Sequence, residues 1–157
     1  MSRQEGLNQI WKRLILVLGL SVGICLIFFY FGGPGRVGVL VFVIGNIGGY
    51  VSVHRGLADL KDTEIIDLAA SWWAIIAPPF VGGILALALY LLFLSNIVAG
   101  DLFPTFKPIE ENIGGLKSLA LQDGQLNDYA KLFFWSFVAG FNQKYVVDII
   151  ESVKAKP

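Results

Sequence analysis

At 157 residues the chain is about one domain long, yet 55% of it is hydrophobic and only 15% is charged, against roughly 25% charged in an average globular chain. Its 12 basic residues balance its 12 acidic ones, so it lacks the basic excess of a nucleic-acid binder. A lone cysteine, Cys25, excludes an internal disulfide, and a lone histidine, His54, excludes a multi-His metal site within one chain. With a mean hydropathy of +0.68, such a chain has too little polar surface to cover a soluble body of its size. An integral membrane protein follows.

A membrane-crossing helix needs about 20 mostly apolar residues, at about 1.5 Å of rise per residue. Leu14 to Phe31 carries no charge over 18 residues. Arg3, Lys12 and Arg13 precede it, as in a signal peptide, but Phe28-Phe29-Tyr30-Phe31 stands where a small-residue cleavage site would be. This predicts a retained span over about 12–31. Gly32-Gly33-Pro34-Gly35 then makes a tight turn, and a second span covers about 36–54.

The third charge-free stretch, Leu68 to Gly100, is 33 residues long. That is too long for one straight span and too short for two spans with a turn. Pro78-Pro79 interrupts it, and proline is best tolerated in a helix's first turn. The expected arrangement is an interfacial helix over about 63–77 followed by a span over about 79–98. One long span kinked at the prolines is the alternative. Ile65, Ile66, Ala69, Trp72, Trp73 and Ile76 give the interfacial piece its apolar side, and Asp62, Glu64 and Asp67 its wet side.

The fourth span, about 127–147, rests on the short run Leu132 to Phe141 and on Lys144 reaching an interface. An external loop over about 100–126 precedes it, kept irregular by Pro104 and Pro108. An amphipathic tail over about 144–157 follows. Orientation comes from the basic residues. With the N-terminus inside, eight (Arg3, Lys12, Arg13, Arg55, Lys61, Lys144, Lys154 and Lys156) lie on the cytoplasmic side and four outside. The fold class is therefore all-α, a polytopic membrane protein of four transmembrane helices with a cytoplasmic interfacial helix, both termini inside.

Close approach of helices in lipid relies on small residues four apart. Gly19 and Gly23, Gly45 and Gly49, and Gly82 and Ala86 provide such faces, either for packing within the chain or for joining copies into a homo-oligomer. Asn46, Asn142, Gln143 and Lys144 are polar at membrane depth and are candidates for a pore or vestibule. Trp72, Trp73, His54 and Arg55 suit the headgroup boundary as interfacial anchors. No zinc, nucleophile-elbow or phosphate-loop motif occurs. No catalytic residue, cofactor or metal is expected. The expected partners are membrane lipids, further copies of the chain and a cytoplasmic protein, and not nucleic acid.

Two stretches carry a resemblance. One is Ala77-Pro78-Pro79-Phe80-Val81-Gly82-Gly83-Ile84-Leu85-Ala86, continuing to Leu91-Leu92-Phe93-Leu94-Ser95 and Leu102-Phe103-Pro104. The other is Ala139-Gly140-Phe141-Asn142-Gln143-Lys144-Tyr145-Val146-Val147-Asp148. Together they resemble a group of small bacterial inner-membrane proteins whose second motif reads Ala-Gly-Phe-Ser-Glu-Arg-Phe-Val-Pro-Asp. This chain departs from it at Asn142, Gln143 and Val147. The resemblance implies a multi-span protein of the bacterial inner membrane and assigns no activity. The expected function is a non-enzymatic, self-associating membrane protein, a pore-forming or membrane-disrupting effector of a bacterial stress or anti-phage system. A membrane anchor that recruits a cytoplasmic partner is the alternative.

Overall fold

The computed structural model describes residues 2–31, 36–106 and 126–143. Among them are five α-helices and no strand. α1 spans Arg3–Phe31, α2 Arg36–Gly56, α3 Asp62–Ala70, α4 Trp72–Leu94 and α5 Leu126–Phe141. Three are long and apolar enough to cross a membrane: α1 from Gln4, α2 and α4. α5, at 16 residues, is about 24 Å long and falls short of the hydrocarbon thickness by itself. The predicted turn at 32–35, most of the predicted external loop and the predicted tail lie outside the described residues, as does Lys144.

Helix ends follow local chemistry. Ser2 and Glu5 form a reciprocal cap at the start of α1: Ser2 N donates to Glu5 Oε2 at 2.7 Å and Glu5 N to Ser2 Oγ at 3.3 Å. α2 ends in a 3-10 turn over Leu57–Asp59, and Lys61 N donates to Glu64 Oε2 at 2.8 Å as α3 begins. α4 ends where Asn96 adopts φ 54° and its N–H reaches the Phe93 carbonyl at 3.1 Å, a left-handed stop that asparagine tolerates.

The elbow lies elsewhere than expected. The break is at Ser71, with φ −104° and ψ 113°, and not at Pro78-Pro79. The helix before the break is thus the nine-residue α3, and the candidate span that follows begins at Trp72. Ser71 makes the corner a helix start: its Oγ accepts from Ala74 N at 3.2 Å. Both prolines sit inside α4. Each lacks the N–H that would bond four residues back, to Ala74 and Ile75. The helix continues because a neighbour packs against this point. A Cβ on Gly49 of α2 would lie 2.7 Å from Pro79 Cα and 2.8 Å from the Pro78 carbonyl oxygen, so α2 rests its bare backbone on the two prolines.

α2, α4 and α5 make the main bundle. Val37 and Val41 of α2, Ala86, Leu89, Tyr90 and Phe93 of α4, and Leu132 and Ala139 of α5 form its core, with Phe106 folded in from the α4–α5 connection. A second cluster lies at the opposite end, near the elbow. There Ile10 and Leu14 of α1 meet Leu57, Ile65, Ala69 and Ile75. Beyond it α1 is open: Leu16, Leu20, Ile24 and Ile27 are all at least 42% exposed. Ser71 marks one end of the molecule, the elbow end, and Phe103 the other, the loop end.

Candidate functional site

The centre of the bundle is a meeting of glycines. A Cβ on Gly82 would lie 2.7 Å from the Gly45 carbonyl oxygen and 2.9 Å from Gly140 Cα. A Cβ on Gly45 would lie 2.6 Å from both Ala86 Cβ and the Gly82 carbonyl oxygen. One on Gly140 would collide with the Gly45 carbonyl, and one on Gly48 with that of Phe137. Only residues without a side chain admit backbones this close. The Gly45–Gly49 and Gly82–Ala86 faces are therefore consumed within the chain, and at this level the three backbones leave no passage between them. Gly19 and Gly23 differ: nothing lies within 4 Å of a Cβ at either.

Gln143 is held toward the elbow end of this bundle. Its Nε2 donates to the Pro78 carbonyl oxygen at 2.8 Å. It therefore ties α5 to the proline step of α4, whereas Asn142 is exposed. The Arg55 guanidinium lies over the Phe141 ring, 4.5 Å from its centroid, which holds α2 and α5 together at the same level.

At the elbow, the Arg13 Nη1 donates to the Ala69 carbonyl oxygen at 2.7 Å. Its guanidinium lies 5.0 Å from the centroid of Trp72. One side chain of α1 thus holds the end of α3 and the start of α4. The carbonyl it meets belongs to the last turn of α3, the negative end of the helix dipole. His54 meets Trp11 edge-on at 4.6 Å. Trp73 is 78% exposed. Trp72, His54 and Arg55 are exposed too, so the predicted anchors share one end of the molecule.

Asn46 stands at the midpoint of α2, ten residues from either end. Helical spacing puts it on the side of Tyr50 and Val53, which pack toward Ile10 and Leu14 of α1. It is half-buried, and its amide has no hydrogen bond among the described residues. Asn46, Asn142 and Gln143 do not converge.

At the loop end, Trp135 Nε1 donates to the Leu102 carbonyl oxygen at 2.9 Å, and the indole stacks on Phe103 at 5.2 Å. Thr105 N donates to Asp128 Oδ1 at 3.0 Å. α5 therefore reaches from Leu102 at one end to Pro78 at the other, antiparallel to α4.

The sequence reading missed three of these contributors. Gly140 was legible as one of a pair with Ser136, four residues apart, both buried. In the sequence Arg13 marks only the basic side of the chain, and Gln143 only a polar position for a vestibule. Nothing in their spacing announces the carbonyls they meet.

No family model matches the chain, and no solved structure matches it. Over 75 residues, 48% of its length, it is 39% identical to the sodium/hydrogen exchanger 9B2 of Bison bison bison. The matched stretch spans 13% of that relative, so the likeness joins part of this chain to a small part of a much longer protein.

Proposed function

We propose that this is a non-enzymatic integral membrane protein that crosses the bilayer four times, with both termini in the cytosol, and self-associates through α1. The observation that carries the reading is the contrast among its glycines. Gly45, Gly48, Gly49, Gly82 and Gly140 are buried against backbone of a neighbouring helix, while a Cβ at Gly19 or Gly23 would meet nothing within 4 Å, on a helix whose outer half is apolar and open. A second copy of α1 fits that face, because small residues four apart let two helices approach closely in lipid. α5 counts as the fourth crossing because it runs beside α4 from the loop end to the proline step. Basic residues concentrated toward the elbow end, and the resemblance in residues 77–104 and 139–148, support a bacterial inner membrane with that end inside.

The glycine contacts close the bundle of one chain, so any conducting path would run between copies. Asn46, polar at mid-depth and without a partner among the described residues, supports such a path. Pore formation, and with it an effector role in bacterial stress or anti-phage defence, is the functional form proposed for the assembly. The exchanger likeness adds a membrane transporter's company but not its chemistry. The matched stretch is only 13% of that relative, so its transport chemistry is not carried over. The test is copy number in nanodiscs together with ion flux in liposomes. Several copies with flux above protein-free vesicles are expected, and a monomer without flux overturns the reading.

A second reading, an anchor for a cytoplasmic protein, is favoured by α3. It is pinned by Arg13 and turns Asp62, Glu64 and Asp67 outward. Charge reversal along α3 would then abolish capture of the partner while leaving the assembly unchanged.

A further inference from the structure

A groove of about 310 Å³ opens at the loop end, between Asp101 and Leu102 on one side and the first turns of α5 on the other. Asn127, Lys131, Phe134 and Trp135 complete its wall. Its size is at the lower end of the range typical of small-molecule sites. The wall is divided by chemistry. At its rim stand an acid, a base and an amide. Below them Phe134 is 61% exposed, and Phe134 and Val138 continue down the same side of α5 toward the middle of the helix.

The charges are opposite but do not neutralise each other. Asp101 has no hydrogen bond or ion pair among the described residues, and Lys131 reaches only the Phe103 carbonyl oxygen, at 3.5 Å. That is the long limit of a hydrogen bond. A carboxylate and an ammonium held apart across a groove match a ligand that carries the two charges in reverse order.

We propose that this groove binds the head group of a phospholipid bearing a primary ammonium beside its phosphodiester, the phosphatidylethanolamine class. The ammonium donates to the Asp101 carboxylate. The phosphodiester accepts from the Lys131 ammonium and the Asn127 amide. One acyl chain lies along Phe134 and Val138. The primary amine matters because a quaternary ammonium has no N–H to give the carboxylate. A net anionic head group would set its charge against Asp101. The inference rests on α4 and α5 being membrane-crossing helices, which would put this rim at an interface and Phe134 in hydrocarbon.

The experiment is native mass spectrometry of the delipidated full chain, titrated with phosphatidylethanolamine, phosphatidylcholine and phosphatidylglycerol of identical acyl chains. We expect phosphatidylethanolamine to bind about tenfold more tightly than phosphatidylcholine, the effect of one charge-assisted hydrogen bond. Asp101→Asn should erase that preference. Lys131→Gln should weaken all three lipids. Ala130→Trp, at an exposed wall position, should block the groove. Soluble phosphoethanolamine should compete poorly, since it lacks the chain that Phe134 receives. Equal binding of the three lipids, or a preference that survives Asp101→Asn, would overturn the proposal. So would full competition by phosphoethanolamine, which would assign the groove to a soluble ligand. Liposome flotation separates the two levels. A chain that does not float fails the membrane reading itself, whereas one that floats without lipid preference fails only this site.

Discussion

Gly140 of α5 sets its Cα against the carbonyl oxygen of Gly45 on α2, with Gly82 of α4 closing the third side. The contact leaves no room for a methyl group, and its obstacle is backbone, which cannot rotate aside. Gly140→Ala and Gly45→Ala should each destabilise the protein by at least about 1–3 kcal/mol, the usual cost of overpacking a filled interior. Gly38→Ala is the control, because nothing lies within 4 Å of a Cβ there. It should be neutral or slightly stabilising, since alanine is the better helix former. Thermal unfolding in detergent, followed by circular dichroism, measures all three. Equal midpoints for Gly140→Ala and Gly38→Ala would refute the close contact.

Charge-free runs located α1 and α2 because burial in lipid acts on every residue of a span. Four-residue spacing located the small faces, but Gly19–Gly23 and Gly45–Gly49 look alike on paper. Only tertiary placement distinguishes the face that meets a neighbour from the one that does not. The break falls at Ser71 and not at the prolines for a related reason. Proline's local effect argued for a break at Pro78, while support for the prolines comes from Gly49, some thirty residues earlier, and from Gln143, 65 residues later. Ser71, an ordinary N-cap residue, carried the local signal that prevailed.

Gln143 gives a test of that support. Its amide donates to a carbonyl beside the two prolines, so Gln143→Leu should cost about 0.5–1.5 kcal/mol, the net value of one hydrogen bond. Gln143→Glu should do worse, since an ionised carboxylate has no proton to donate and would face the Pro78 oxygen. Hydrogen–deuterium exchange over Ala74–Phe80 should quicken in both variants. Unchanged exchange would mean that the contact does not steady the proline step.

Arg13 spans the elbow by two different interactions, and substitution separates them. Arg13→Lys keeps a charge and a donor but loses the planar face over Trp72. Arg13→Ala loses both. The lysine variant should lie between wild type and alanine in the exchange rate of α3 amides. Cation–π contact at such a site is worth about 0.5–2 kcal/mol, so the two variants should be clearly resolved. If Arg13→Lys and wild type exchange at the same rate, the hydrogen bond to Ala69 alone positions α3.

Gly19 and Gly23 of α1 have no neighbour within 4 Å of a Cβ in the isolated chain, and leucine raises helix propensity over glycine. Monomer stability should therefore hold or rise slightly in Gly19→Leu and Gly23→Leu. A helix pair formed across that face would nonetheless be forced apart by the new side chains, because close approach depends on their absence. The double variant should thus lose its higher-order species in crosslinking and in mass photometry of nanodiscs, and lose ion flux with it. Its unfolding midpoint in detergent should stay at or above that of wild type. No arrangement in which α1 faces only lipid predicts this dissociation of assembly from stability, so an unchanged copy number in the double variant would exclude α1 as the interface.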